Sequence, residues 1–270
     1  MTLVRPSRMN VSRGSKPADL ANQHEKSVAS RGVRLGTGRT RGSIAVLALA
    51  AAVTTFLGAN GLGGAPHPLE PAETLAAHFV AQEGSIYIGA VFGYLGAAAL
   101  AALFLVIAGG LTRSGRGTEA TVVRAATIGV AGYFIAVHVI FTTLSYVVAA
   151  SSPEATKSLF GLTMLGIPVF GTSVAVAIAT AALGSRRGFG APRWWVAASI
   201  LGAAVAAIAS FSYADSGFFS PDVQQQSTTG VLTIWLLITA GVSMRKVRVH
   251  EEDTASWRTT WRDDPFDDAR

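Results

Sequence analysis

The chain has 270 residues, 50% of them hydrophobic and only 14% charged, with a formal net charge of +6 and no cysteine. Soluble domains carry about a quarter charged residues, and here the apolar residues gather in blocks of about 18 or more, the length a bilayer requires. A soluble globular class is excluded, as are disulfides, thiolate metal sites, cysteine nucleophiles and dithiol redox chemistry.

Residues 1–42 form a basic arm, with nine Lys or Arg against Asp19 and Glu25 among scattered Gly, Ser and Pro. Such composition cannot bury a core and predicts disorder. The role expected for it is topology and attraction to anionic lipid headgroups. Nucleic-acid binding is not expected, because no aromatic is interleaved with the charges. The first apolar block, Ser43–Leu62, reads as a membrane span; the competing reading is a cleaved leader ending near Ala65. His67, Glu70, Glu73 and His78 then share one loop, but their spacing matches no metal site, and no metal is expected. Pro71–Gln82 predicts a separate interfacial helix, with Pro71 at its first position and Leu75, Ala76, Phe79 and Val80 on its apolar face.

Span two, Gly84–Leu111, carries Ser85, Gly89, Gly93, Ala97 and Ala101 at four-residue spacing. Small residues in that register let helix backbones approach closely, within one chain or between copies. Span three is Ala120–Ala150. After it, Ser152-Pro153-Glu154 reads as a helix start: serine caps, proline has no amide to lose, and the acid suits the positive dipole end. Span four, Leu159–Leu183, contains Pro168, which denies the Met164 carbonyl its intrahelical partner. Trp194 and Trp195 open span five, Trp194–Tyr213, where an aromatic belt belongs. Its own small-residue stripe is Ala198, Gly202, Ala206 and Ser210. Ser220-Pro221-Asp222 marks another helix start before span six, Ser227–Met244. The remaining residues, 245–270, are a charged tail in which Trp257 and Trp261 stand one helical turn apart.

The expected fold is therefore all-α, a polytopic bundle of six transmembrane helices. Basic residues crowd the arm, the connections around Arg113, Arg116 and Arg186, Arg187, and the tail, whereas the alternate connections hold Lys157 alone. Lys and Arg stay cytoplasmic, so both termini are expected there. Only four of the 22 basic residues are lysine. Together with abundant Ala and Gly, this is the usage of a GC-rich bacterial genome and points to a bacterial cytoplasmic membrane.

One histidine interrupts the apolar spans. His138 falls near the middle of span three, and a mid-membrane ionisable group is a functional hypothesis by default. Thr142 and Ser145 follow on nearly the same helical face. Depth counting along the other spans brings Thr172, Ser173, Tyr94 and Trp235 forward as its neighbours. With no Asp or Glu in any span, the ring is expected to be uncharged and to face an interior cavity. The alternative role is interhelical glue, worth about 1 kcal/mol or less.

Catalytic motifs are wanting. Gly171-Thr172-Ser173-Val174 lacks the second glycine of a rhomboid-type serine protease, and paired intramembrane histidines for haem are absent. No zinc-protease or nucleotide-binding motif is present, and no cofactor is expected. Two readings lead: a small carrier or binder of a lipophilic or protonatable molecule near His138, and a non-catalytic membrane subunit or scaffold, homo- or hetero-oligomeric through its small-residue seams. An intramembrane enzyme without a known motif ranks below both.

Overall fold

The computed structural model describes residues 40–61, 66–211 and 217–262. The basic arm up to residue 39, the leader boundary near Ala65, the expected span ends at Leu62 and Tyr213, and the last eight tail residues lie outside them. Among the described residues there is no strand. Eight α-helices follow in order: α1 (Thr40–Gly61), α2 (Ala72–Ala81), α3 (Glu83–Arg113), α4 (Gly117–Thr143), α5 (Pro153–Leu165), α6 (Ile167–Phe189), α7 (Arg193–Ile208) and α8 (Pro221–Arg262). A π-helical turn, Leu144–Val148, extends α4, and a 3-10 turn, Ala209–Phe211, extends α7.

Among the described residues, six helical segments are long and apolar enough to cross a membrane, with α5 and α6 together supplying one of them. Most edges fall within a few residues of the sequence reading. Two do not. The fourth span begins at Pro153 and the sixth at Pro221, each six residues earlier than Leu159 and Ser227. Both starts coincide with a Ser-Pro pair. Ser152 accepts a hydrogen bond from the Ala155 amide at 3.3 Å, as a capping serine should. Ser220 instead donates to the Gly217 carbonyl. The fourth span breaks at Gly166, where the amide reaches back to the Thr163 carbonyl at 3.1 Å, and Pro168 is the second residue of α6. Glycine suits this position, because the Tyr133 ring lies where a Cβ on Gly166 would sit.

α2 forms as the sequence predicts, with one correction: Pro71 is its cap and not its first helical residue. On its apolar face Leu75, Ala76 and Phe79 are buried against protein and Val80 is exposed. At the other terminus α8 runs unbroken from Pro221 to Arg262, so the expected charged tail is helical through Arg262.

The small-residue stripes pack within the chain. α1 crosses α3 so closely that a Cβ on Gly61 would fall 2.5 Å from the Gly89 Cα, and one on Gly58 would fall 2.8 Å from the Gly93 nitrogen. On the α7 stripe, Gly202 faces Val231 of α8, while Ala206 packs against Gly171 of α6.

The antiparallel connections sort the charges by end. One end carries Arg113, Arg116, Arg124, Arg186, Arg187 and Arg193, with Glu119; the other carries Glu70, Glu73, Glu83, Glu154, Asp222 and Lys157. Two apolar cores lie between these ends. The larger includes Leu103, Phe104, Ile107, Val123, Phe170, Ile178, Trp195 and Trp235. The smaller, towards the acidic end, joins Leu75 and Phe79 of α2 to Phe141, Leu144, Phe160 and Ile167.

Candidate ligand-binding site

His138 is 1% exposed and sits where α1, α3 and α4 meet. Its ring edge rests directly on Gly93: a Cβ built there would fall 2.2 Å from Nε2 and 2.3 Å from Cε1. Only glycine leaves room for the imidazole. The ring thus fills a slot in the helix seam. Phe134 stacks parallel to it at 6.1 Å, and Tyr94 leans over it at the same centroid distance.

The two ring nitrogens differ. Nδ1 lies 2.6 Å from the Phe134 carbonyl oxygen, which can only accept, so Nδ1 carries the proton. In the neutral ring Nε2 is then an acceptor. It is buried without a well-formed hydrogen bond, although the Gly58 carbonyl is close enough to act on the ring. Two acceptors facing each other need a donor between them.

Other buried groups share this condition on the acidic side of His138. Ser145 Oγ, two turns beyond on the same helix, has no partner. The Tyr87 hydroxyl on α3 is also buried, with Glu83 one turn before it but no bond of normal geometry. Because α3 and α4 are antiparallel and Gly93 is level with His138, Tyr87 and Ser145 both lie roughly 10 Å outward, at one depth. A buried polar atom without a partner costs free energy and calls for water, an ion or a ligand.

Four of the expected residues stand as the sequence places them, and three do not. Tyr94 is beside His138; Thr142 and Ser145 follow on the same helix, the Thr142 hydroxyl donating to the His138 carbonyl at 2.7 Å. Ser173 instead packs on Gly129 of α4, nine positions from His138 and roughly 13 Å along the axis. Thr172 shares a 2.6 Å hydrogen bond with Ser210 of α7. Trp235 stacks on Phe104 and donates to Ser199 Oγ at 2.9 Å, far towards the arginine end. The reason is common to all three: their helices begin six residues earlier than their apolar cores suggest, which carries every later residue about 9 Å deeper. Sequence reasoning missed Tyr87, Gly58 and Gly93 as site residues. The four-residue glycine spacing marked Gly93 as a close approach, but nothing marked what approaches it.

Among the described residues no three His, Asp or Glu are placed to hold a metal, and His67, Glu70, Glu73 and His78 are not gathered. Fold and site define a class: an all-helical bundle of six segments of membrane-spanning length, with unsatisfied polar groups in one half. No protein-family model, curated protein or solved structure matches the chain.

Proposed function

We propose that this is a multi-pass protein of a bacterial cytoplasmic membrane, both termini inside, that binds or carries a small protonatable or lipophilic molecule. The molecule enters from the acidic end and reaches towards His138. The observation that carries this reading is the set of buried polar atoms without a well-formed hydrogen bond: Ser145 Oγ, with Tyr87 Oη at the same depth beside Glu83, and His138 Nε2 deeper in, facing the Gly58 carbonyl. A ligand with a hydroxyl or a protonated amine supplies the donor that the imidazole nitrogen lacks. The arginine end matches the cytoplasmic side by the retention of positive charge.

A scaffold or subunit role is the second reading. It is favoured by Thr172, Ser210, Trp235 and Ser199, which spend their polarity on one another across helices.

Native mass spectrometry of the purified chain separates the two. A binder retains a small molecule, which is lost from the Tyr87→Phe/Ser145→Ala double variant because only the two unpartnered hydroxyls have been removed. A bare mass, or a co-purifying protein subunit in its place, overturns the binding reading. His138→Phe is a poor variant for this purpose, since its longer ring meets the Gly93 backbone. Orientation is tested with single cysteines in a chain that has none of its own. Ser158→Cys should react with an impermeant reagent in intact cells and Thr118→Cys should not; the reverse pattern inverts the topology.

A further inference from the structure

Two guanidinium groups lie against the last turn of α3, and among the described residues neither is paired with a carboxylate. The register of α3 against α4 places the Arg124 Cα roughly level with Ile107, well inside the apolar length of the pair. Its side chain climbs back towards the helix ends, where Nη2 donates to Thr112 Oγ1 at 3.2 Å. The Thr112 hydroxyl itself donates to the Ala108 carbonyl at 3.1 Å, which fixes the acceptor. Arg113 approaches from the other direction. It folds back along α3 until Nη1 lies 3.7 Å from where a Cβ on Gly109 would stand. Gly109 and Thr112, three residues apart, share one face of the helix.

The dipole of α3 accounts for Arg113, a cation in a last turn. It also favours the Arg124 head, which rests on the same last turn, although Arg124 starts two turns into α4 and its side chain must climb to get there. A guanidinium has five N–H donors, and Thr112 takes one from Arg124. Among the described residues the single ion pair is Arg116 with Glu119, so neither Arg113 nor Arg124 is neutralised by a carboxylate. An arginine that starts in apolar surroundings and carries its head to the rim is snorkelling. The anion found at that level of a bilayer is a lipid phosphate.

We propose that the Gly109–Thr112 face of α3, flanked by Arg113 and Arg124, binds the phosphodiester of an anionic phospholipid. Glycine at 109 leaves the helix surface bare there, and the two guanidinium groups offer the planar donor forks that suit phosphate oxygens. Two cations also select against a zwitterionic lipid, because the choline group brings a third positive charge to the same place. The inference rests on the chain's crossing a bilayer and is independent of any ligand near His138.

The full chain, reconstituted with equal amounts of phosphatidylglycerol and phosphatidylcholine, is released into native mass spectrometry and its retained lipids are counted. The wild-type chain should be enriched in phosphatidylglycerol. Arg113→Gln and Arg124→Gln should each reduce that enrichment about fivefold, the share of one basic side chain near a membrane surface. Arg116→Gln, which removes a residue already paired with Glu119, should leave it unchanged. Equal retention of the two lipids by the wild-type chain overturns the proposal. So does undiminished enrichment in Arg113→Gln, whose exposed side chain can be altered without disturbing the fold even if Arg124→Gln proves unstable. Inorganic phosphate that displaces the retained lipid would make this a general anion site and would likewise overturn it.

Discussion

The half of the bundle near the arginine end and the half near the acidic end are built from the same apolar residues but treat polar groups in opposite ways. In the arginine half the polar atoms close on one another. Trp195 Nε1 donates to Thr239 Oγ1, Trp235 Nε1 to Ser199 Oγ, and Ser199 Oγ to the Trp195 carbonyl, all within the larger core. In the acidic half the atoms of His78, Tyr87, Ser145, Asp222 and Thr228 are buried without partners, with Tyr133 and His138 near the middle. A polar group in lipid-like surroundings is stable only when satisfied. One half is therefore a finished structural unit and the other is incomplete without water or a ligand.

The seam between α1, α3 and α4 joins the halves, and it gives the largest expected effect. Gly93→Leu puts a branched side chain where the His138 ring and the Gly58 backbone already sit. Overpacking of this kind costs about 1–3 kcal/mol. Val91→Leu, on the exposed side of the same helix, should stay within about 0.5 kcal/mol of wild type. Thermal unfolding in detergent compares the two variants. Equal melting temperatures would mean that the three helices do not meet at Gly93.

The comparison is sharpened next by deleting one hydroxyl from each half. Ser199→Ala strands the Trp235 indole N–H and should cost about 1 kcal/mol. Ser145→Ala removes a hydroxyl that has no partner. It should be neutral or slightly stabilising in ligand-free protein. If the two serines prove equally costly, Ser145 has a partner and the acidic half is as complete as the other.

How far the fold was legible follows from which forces act locally. Span number and approximate limits are written in runs of apolar residues, whose length the bilayer dictates. The helix starts at Ser152-Pro153 and Ser220-Pro221 were also legible, since a Ser-Pro signal is a matter of adjacent residues, although only Ser152 caps. Depth was not. Counting from Leu159 and Ser227, where the apolar runs begin, ignores the polar first turns that those Ser-Pro pairs start, and so brings Thr172, Ser173 and Trp235 to His138 when they belong deeper. The end of α8 was obscured likewise: charge suggested a tail at Arg245, but no Gly or Pro interrupts the chain before Pro265. Pairings such as Trp195 with Thr239 depend on which helices become neighbours, and no local pattern encodes that.

The smallest effect expected is a pH dependence confined to the acidic half. His78 lies on α2, outside the membrane-spanning segments, with its ring edge-on to Phe79 and its Nε2 unpartnered. Burial lowers its affinity for a proton below the ordinary value near 6.5, because the charged imidazolium is disfavoured there. The unfolded chain then binds the proton more readily than the folded one. Stability from neutral His78 is fully present above about pH 6.5 and is lost as pH falls through the lowered value. Melting temperature should therefore decline on going from pH 7.5 to pH 5, and His78→Gln should flatten that decline while α2 keeps its seat through Leu75 and Phe79. The arginine half offers a control in Ser199→Ala, which lowers stability without altering the pH slope. A slope unchanged in His78→Gln would place the proton elsewhere and would leave α2 without a part in the difference between the two halves.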